Sequence, residues 1–120
     1  MKLLRSFGYA LSGIQYCFRS ERNFRLHVAS TFMALILSFA CAISDMEWIA
    51  VCFCIALVIV MEMLNTAIEK LCDVGHREFD PSIKKVKDMA AGAVLVSAIF
   101  SVLTGLIIFL PKIIIIIKSI

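Results

Sequence analysis

Three apolar runs constrain this chain more than any other feature. Residues 48–64 and 89–110 reach or approach the roughly 20 apolar residues that cross a bilayer's hydrocarbon core. Residues 27–43 fall somewhat short and carry no charge beyond one on His27, a deficit that local thinning of the bilayer accommodates. All three are expected to be transmembrane helices. The chain has 120 residues, 62% of them hydrophobic and 18% charged, so its apolar surface exceeds what a soluble domain of that size could bury. Lipid must cover the excess. The expected fold is therefore all-α and integral to the membrane, a single domain over residues 1–120.

Charge gives the fold a direction. Lys2, Arg5, Arg19, Arg22 and Arg25 precede the first span, and Lys70, Arg77, Lys84, Lys85 and Lys87 lie between the second and third. These are ten of the twelve basic residues, whereas the short turn on the opposite side reads Ser44-Asp45-Met46-Glu47. By the positive-inside rule the N-terminus and the second loop are expected in the cytoplasm. Such sidedness accounts for the net charge of +3 and removes the reading of a nucleic-acid binder.

Within residues 1–20, Leu3, Leu4, Phe7, Leu11, Ile14 and Phe18 recur at helical spacing, with Arg5, Ser12 and Arg19 on another face. That pattern predicts an amphipathic helix in the membrane interface. No apolar core with a small-residue cleavage site follows Lys2 and Arg5, so a cleaved signal peptide is not expected. Two rows of small residues, Ser30, Ala34, Ser38 and Ala42 in the first span and Ala93, Ser97, Ser101 and Gly105 in the third, suit close helix packing in lipid. Pro111 is expected to end or kink the last helix, although the isoleucine-rich segment beyond it could extend that helix. The five cysteines show no CxxC spacing and read as small packing residues rather than a zinc or redox site.

Against this background four polar residues stand out. Glu62, Asn65, Glu69 and Asp73 are three, four and four residues apart, which gathers them within an arc of roughly 60° on one helix face. Intramembrane acids usually face a partner, a cavity or an ion. A carboxylate and amide stripe can hold a divalent cation through oxygen, or a basic residue such as Lys87 could merely lock it in a salt bridge. Asp73, near the water, could equally be a solvated helix-end acid. Lys87-Asp88, preceded by Lys84 and Lys85, opens the third span, where a lysine can hold phosphate oxygens. Lys84 and Lys85 are equally explained as a basic patch facing lipid head groups. Glu21 lies just before the first span, Arg22 and Arg25 read as topology anchors, and His27 reads as an interfacial polar residue.

Taken together, ERNFRLH at 21–27, EMLNTAIEKLCD at 62–73 and KDMAAGAVL at 87–95 resemble the prokaryotic diacylglycerol kinase family, which includes the undecaprenol kinases. The resemblance covers nearly the whole chain. It implies an ATP-dependent lipid kinase of the bacterial inner membrane, a homotrimer with sites shared between neighbouring subunits, acting on diacylglycerol or undecaprenol. It further implies that Glu62 is the general base, that Glu21 and Glu69 hold magnesium, and that Asn65, Asp73, Lys87 and Asp88 bind the nucleotide. His27 and the AAGAVL run resemble the undecaprenol kinase branch more, without fixing the acceptor.

Two other readings remain open at this stage. A small transporter could use Glu62 to exchange protons, but this leaves Glu21, Asn65, Glu69 and Lys87-Asp88 without a role. A catalytically silent lipid-binding subunit would not need every one of these polar residues.

Overall fold

The computed structural model describes residues 1–75 and 78–120. Four helices follow in order: α1, Lys2–Ser20; α2, Arg22–Ala40; α3, Asp45–Gly75; and α4, Pro81–Ser119. Helices α2, α3 and α4 are each long and apolar enough to cross a membrane. The three expected spans and the N-terminal helix are all present. Arg77, one of the basic residues that set the expected sidedness, lies outside the described residues.

Helix α3 is the hub, packing most extensively against α4 and also against α2 and α1. At 1.5 Å per residue α4 is about 58 Å long, which sets the longest molecular dimension of 59 Å. Few side chains are enclosed. A small apolar cluster of Ile43, Val51, Ile108 and Phe109 lies where the α2–α3 turn meets α4, whereas Phe32, Phe39, Phe53, Phe100 and Ile107 stand exposed. An exterior of this kind is stable only against lipid tails or other apolar surface.

The turn between α2 and α3 is closed by specific bonds. The N–H of Ala42 reaches Phe39 O at 3.2 Å and that of Ile43 reaches Ser38 O at 3.4 Å, the pairing of a Schellman cap. Ala42 occupies its left-handed position with φ 48°, so the first small-residue row leaves the helix before its last member. Ser44 then opens α3 with a capping box: its N–H donates to Glu47 Oε1 at 3.0 Å while the Glu47 N–H donates to Ser44 Oγ at 3.2 Å. Two otherwise orphaned N–H groups are thereby satisfied. The rows themselves divide. Ser38 and Ser97 are buried as packing residues, but Ser30, Ala34, Ser101 and Gly105 line a cavity.

Pro111 does not end α4, which continues to Ser119. Proline removes the N–H that would bond to Ile107 O, but contacts just beyond it tie the continuing helix to the bundle. Ile113 packs against the core cluster, and Lys112 Nζ lies 3.1 Å from Glu47 Oε1. The isoleucine-rich segment extends the helix.

At the opposite end of the bundle, Glu21 is extended (φ −115°, ψ 112°) and separates α1 from α2. Arg25, read from sequence as a topology anchor, also has a structural task. Its guanidinium donates to Phe18 O at 2.9 Å and Arg19 O at 3.0 Å, satisfying carbonyls left free at the α1 C-terminus. The Lys70 ammonium stands 5.1 Å from the centre of the Tyr16 ring, tying α1 to α3. This frame fixes how the polar stripe of α3 meets its neighbours.

Candidate active site

Because α3 runs unbroken from Asp45 to Gly75, the 3-4-4 spacing becomes a single polar face. Glu62 is its deepest member, only 3% exposed. A carboxylate in that position is costly unless it is paired. His27 of α2 meets it, with Nε2 3.6 Å from Glu62 Oε2. No other ion-pair partner for Glu62 occurs among the described residues.

One turn along the stripe, the Asn65 amide donates to Glu69 Oε1 at 3.4 Å. The Asn65 carbonyl oxygen is buried and has no hydrogen-bond partner, as is Thr66 Oγ1 beside it. Unpaired oxygens of this kind cost stability in a folded protein and call for a ligand or water. Glu21 and Glu69 both lie close enough for their charges to be felt at Glu62. Glu21 is at the N-terminus of α2 and makes no side-chain cap hydrogen bond, so its carboxylate adds negative charge where the helix dipole favours it. The acid of the α1–α2 junction is thus within electrostatic reach of the α3 stripe.

The remaining residues assemble differently from their sequence order. Lys87 Nζ is 2.6 Å from Asp73 Oδ1 across the α3–α4 connection, and Asp88 pairs with Lys84 at 2.7 Å. Adjacent residues on a helix point about 100° apart, so Lys87 faces α3 while Asp88 looks along its own helix surface. Lys87 therefore locks neither Glu62 nor Glu69. Both pairs are substantially exposed, which leaves the lysines accessible to an anion from the water side.

Among the described residues, no three His, Cys, Asp or Glu side chains converge tightly enough to hold a metal ion alone. Magnesium rarely needs such a cage, because it is typically bound by one or two carboxylates together with substrate phosphates and water. The donor set of Glu21, Glu69 and the unpartnered Asn65 carbonyl fits that mode.

A cavity of about 330 Å³ lies between α2, α3 and α4; Glu62 is not one of its walls, but Val58, one turn before it on α3, and its partner His27 are. His27 and Thr31 of α2, Val58 of α3, and Ser101, Thr104 and Gly105 of α4 are among its walls. Most of the hydroxyls are satisfied by their own helix, Thr31 donating to His27 O and Thr104 to Phe100 O, so the cavity presents an essentially apolar surface. Ser101 Oγ is buried without a partner. His27 thus has the carboxylate on one side and the cavity on the other. Sequence reasoning undervalued this residue, whose one signal was its position a single turn and a half beyond Glu21 in the ERNFRLH run.

A family model described as prokaryotic diacylglycerol kinase matches residues 8–109. The chain is 41% identical to an undecaprenol kinase of Bacillus subtilis, over 92% of this chain and 90% of that protein. It is 40% identical to a diacylglycerol kinase of Synechocystis, over 91% of this chain and 63% of that longer protein. A diacylglycerol kinase of Helicobacter pylori is 34% identical over 82% of this chain and 77% of its own length.

Proposed function

This chain belongs to the prokaryotic diacylglycerol kinase family and is a lipid kinase of the membrane, and from that premise we propose that it moves the γ-phosphoryl group of magnesium-ATP onto the hydroxyl of diacylglycerol or undecaprenol. The observation that carries the reading is the buried carboxylate of Glu62, which meets His27 of the cavity wall and heads a polar stripe that ends at the exposed Asp73–Lys87 pair. The proton-coupled transporter has no support, since the named relatives are kinases.

In this reading the acceptor's chain lies in the cavity between α2, α3 and α4, and its hydroxyl meets Glu62. Glu62 takes the hydroxyl proton as the oxygen forms its bond to the γ-phosphorus. The bond from that phosphorus to the β-phosphate oxygen breaks, ADP leaves, and Glu62 later returns the proton to water. Glu21 and Glu69, with the Asn65 carbonyl, would hold magnesium, which would supply charge neutralisation for the phosphates. Lys87 binds a γ-phosphate oxygen, exchanging part of its contact with Asp73, and Asp73 and Asp88 keep Lys87 and Lys84 in position around the nucleotide. Phosphoryl transfer asks little more of a protein than alignment and charge compensation.

The rest of the assembly follows the same line. The single domain 1–120 sits in the bacterial cytoplasmic membrane with its N-terminus and second loop inside, by the positive-inside rule. Helix α1 lies in the interface, its exposed Leu3, Leu4, Phe7 and Leu11 turned to the acyl chains. A homotrimer would cover part of the apolar exterior and close three equivalent sites by cyclic symmetry.

The test is transfer of radiolabelled phosphate from magnesium-ATP to each lipid in mixed micelles, by the purified protein and by Glu62→Gln. Removing a general base is expected to lower kcat by about 10²–10⁴. Transfer to one lipid over the other names the acceptor, and no transfer to either by folded protein overturns the kinase reading of this site.

A further inference from the structure

We infer that His27 is the positioning residue for Glu62: its imidazole, set at the boundary between the catalytic carboxylate and the lipid-facing cavity, orients that carboxylate toward the acceptor hydroxyl. The inference rests on the reading of Glu62 as general base. Its geometric basis is the 3.6 Å approach of Nε2 to Glu62 Oε2, made between side chains that are 25% and 4% exposed. The contact joins two helices, so it fixes the carboxylate relative to α2 as well as to its own helix α3.

No other cation among the described residues forms an ion pair with Glu62, and several are engaged elsewhere. Lys84 and Lys87 bind Asp88 and Asp73, Lys112 binds Glu47 at the far end, Arg25 caps α1, and Lys70 stands over Tyr16. The groups that face the His27–Glu62 pair are Glu21 and Cys17 from the α1 side and Glu69 from α3. Helix α4 presents the neutral Ser101 and Thr104 to the cavity that His27 lines. The imidazole is the one group in this set that can carry positive charge.

The residue type suits the task. A guanidinium at this point would hold Glu62 permanently ionised and blunt it as a base. An imidazole is charged only when protonated, so it can hold the carboxylate toward α2 and still let it gain and lose a proton in each turnover. Because His27 also forms the cavity wall, an acceptor hydroxyl entering from the lipid side passes this ring to reach the base.

The experiment measures kcat, the KM values for magnesium-ATP and lipid, and the pH profile of kcat for the full-length wild type, His27→Leu, His27→Gln and Glu62→Gln, with oligomeric state and thermal unfolding checked for each. His27→Leu is expected to lower kcat roughly ten- to hundredfold, the usual loss when a group that orients a reactive ligand is removed, with the KM for magnesium-ATP unchanged. His27→Gln, which keeps an N–H donor but cannot titrate, should recover most of kcat and change the pH profile of kcat. A residue that only packed α2 against α3 would change the unfolding temperature and leave the pH profile alone. If His27→Leu does not fold, the pH profile of His27→Gln decides.

A wild type that transfers phosphate and is disabled by Glu62→Gln, alongside histidine variants with wild-type kcat and pH profile, overturns this inference alone. A fully active Glu62→Gln overturns the general-base reading and this inference with it.

Discussion

The ammonium of Lys87 on α4 lies 2.6 Å from the carboxylate of Asp73 on α3, linking the end of one helix to the first turns of the other. With side chains 38% and 63% exposed, the pair is screened by solvent and adds little to stability. Asp73→Asn should therefore leave the unfolding midpoint nearly unchanged. Lys87→Met should lower kcat about a hundredfold or more, since it removes a preorganised charge at the transferring phosphoryl group. Denaturant unfolding together with the transfer assay checks both. A Lys87→Met enzyme with near-normal turnover would remove this lysine from the chemistry.

Glu69 is proposed as a magnesium ligand, and Asn65 donates to it at 3.4 Å. Glu69→Gln should raise the magnesium concentration giving half-maximal activity about tenfold or more. Excess chelator should abolish transfer in the wild type, and restored magnesium should return it. The titration to run varies magnesium at fixed ATP. An unchanged midpoint in the variant would take Glu69 out of the metal site.

Gly105 offers a probe of the cavity. A Cβ built there meets nothing nearer than Phe109 Cδ2 at 4.0 Å, so a larger side chain can enter without displacing backbone. Gly105→Leu should occupy part of the 330 Å³ cavity and raise the lipid KM about tenfold, equivalent to ~1.4 kcal/mol, with the KM for magnesium-ATP unaffected. Steady-state kinetics varying each substrate in turn distinguish the two. Equal lipid KM values would put the acceptor chain elsewhere.

Ala42 is held at φ 48° in the Schellman turn, a conformation that costs a residue with a Cβ roughly 1–2 kcal/mol and that glycine adopts freely. Ala42→Gly should stabilise the protein by about 1 kcal/mol. It lies at the end of the bundle away from Glu62, so activity per folded molecule should not change. A lower unfolding midpoint would show that the turn is held by something other than its backbone.

Three long apolar helices were legible because hydropathy marks the residues that seek lipid. Their ends were less so: α2 begins at Arg22 and stops at Ala40, short of residue 43, α3 continues past residue 64 to Gly75, and α4 runs from Pro81 to Ser119, since caps and packing set where a helix ends. Pro111 could not be judged from its own chemistry, because the Lys112–Glu47 pair that secures the backbone beyond it involves another helix. The same division applies to the candidate site. Helical periodicity alone put Glu62, Asn65, Glu69 and Asp73 on one face. That Lys87 turns to Asp73 rather than Asp88, or that His27 reaches Glu62, depends on how α4 and α2 lie against α3, and no local pattern encodes that.

The cavity lined by His27 has walls that include the exposed Val102, and in the proposed membrane placement an acceptor reaches it laterally, through the plane of the bilayer. For a substrate arriving that way, the relevant concentration is a mole fraction in two dimensions. Diluting the acceptor with inert phospholipid should slow turnover at constant total acceptor, whereas adding more membrane of the same composition should not. An enzyme fed in this manner responds to what its membrane is made of, independently of how much membrane the cell contains.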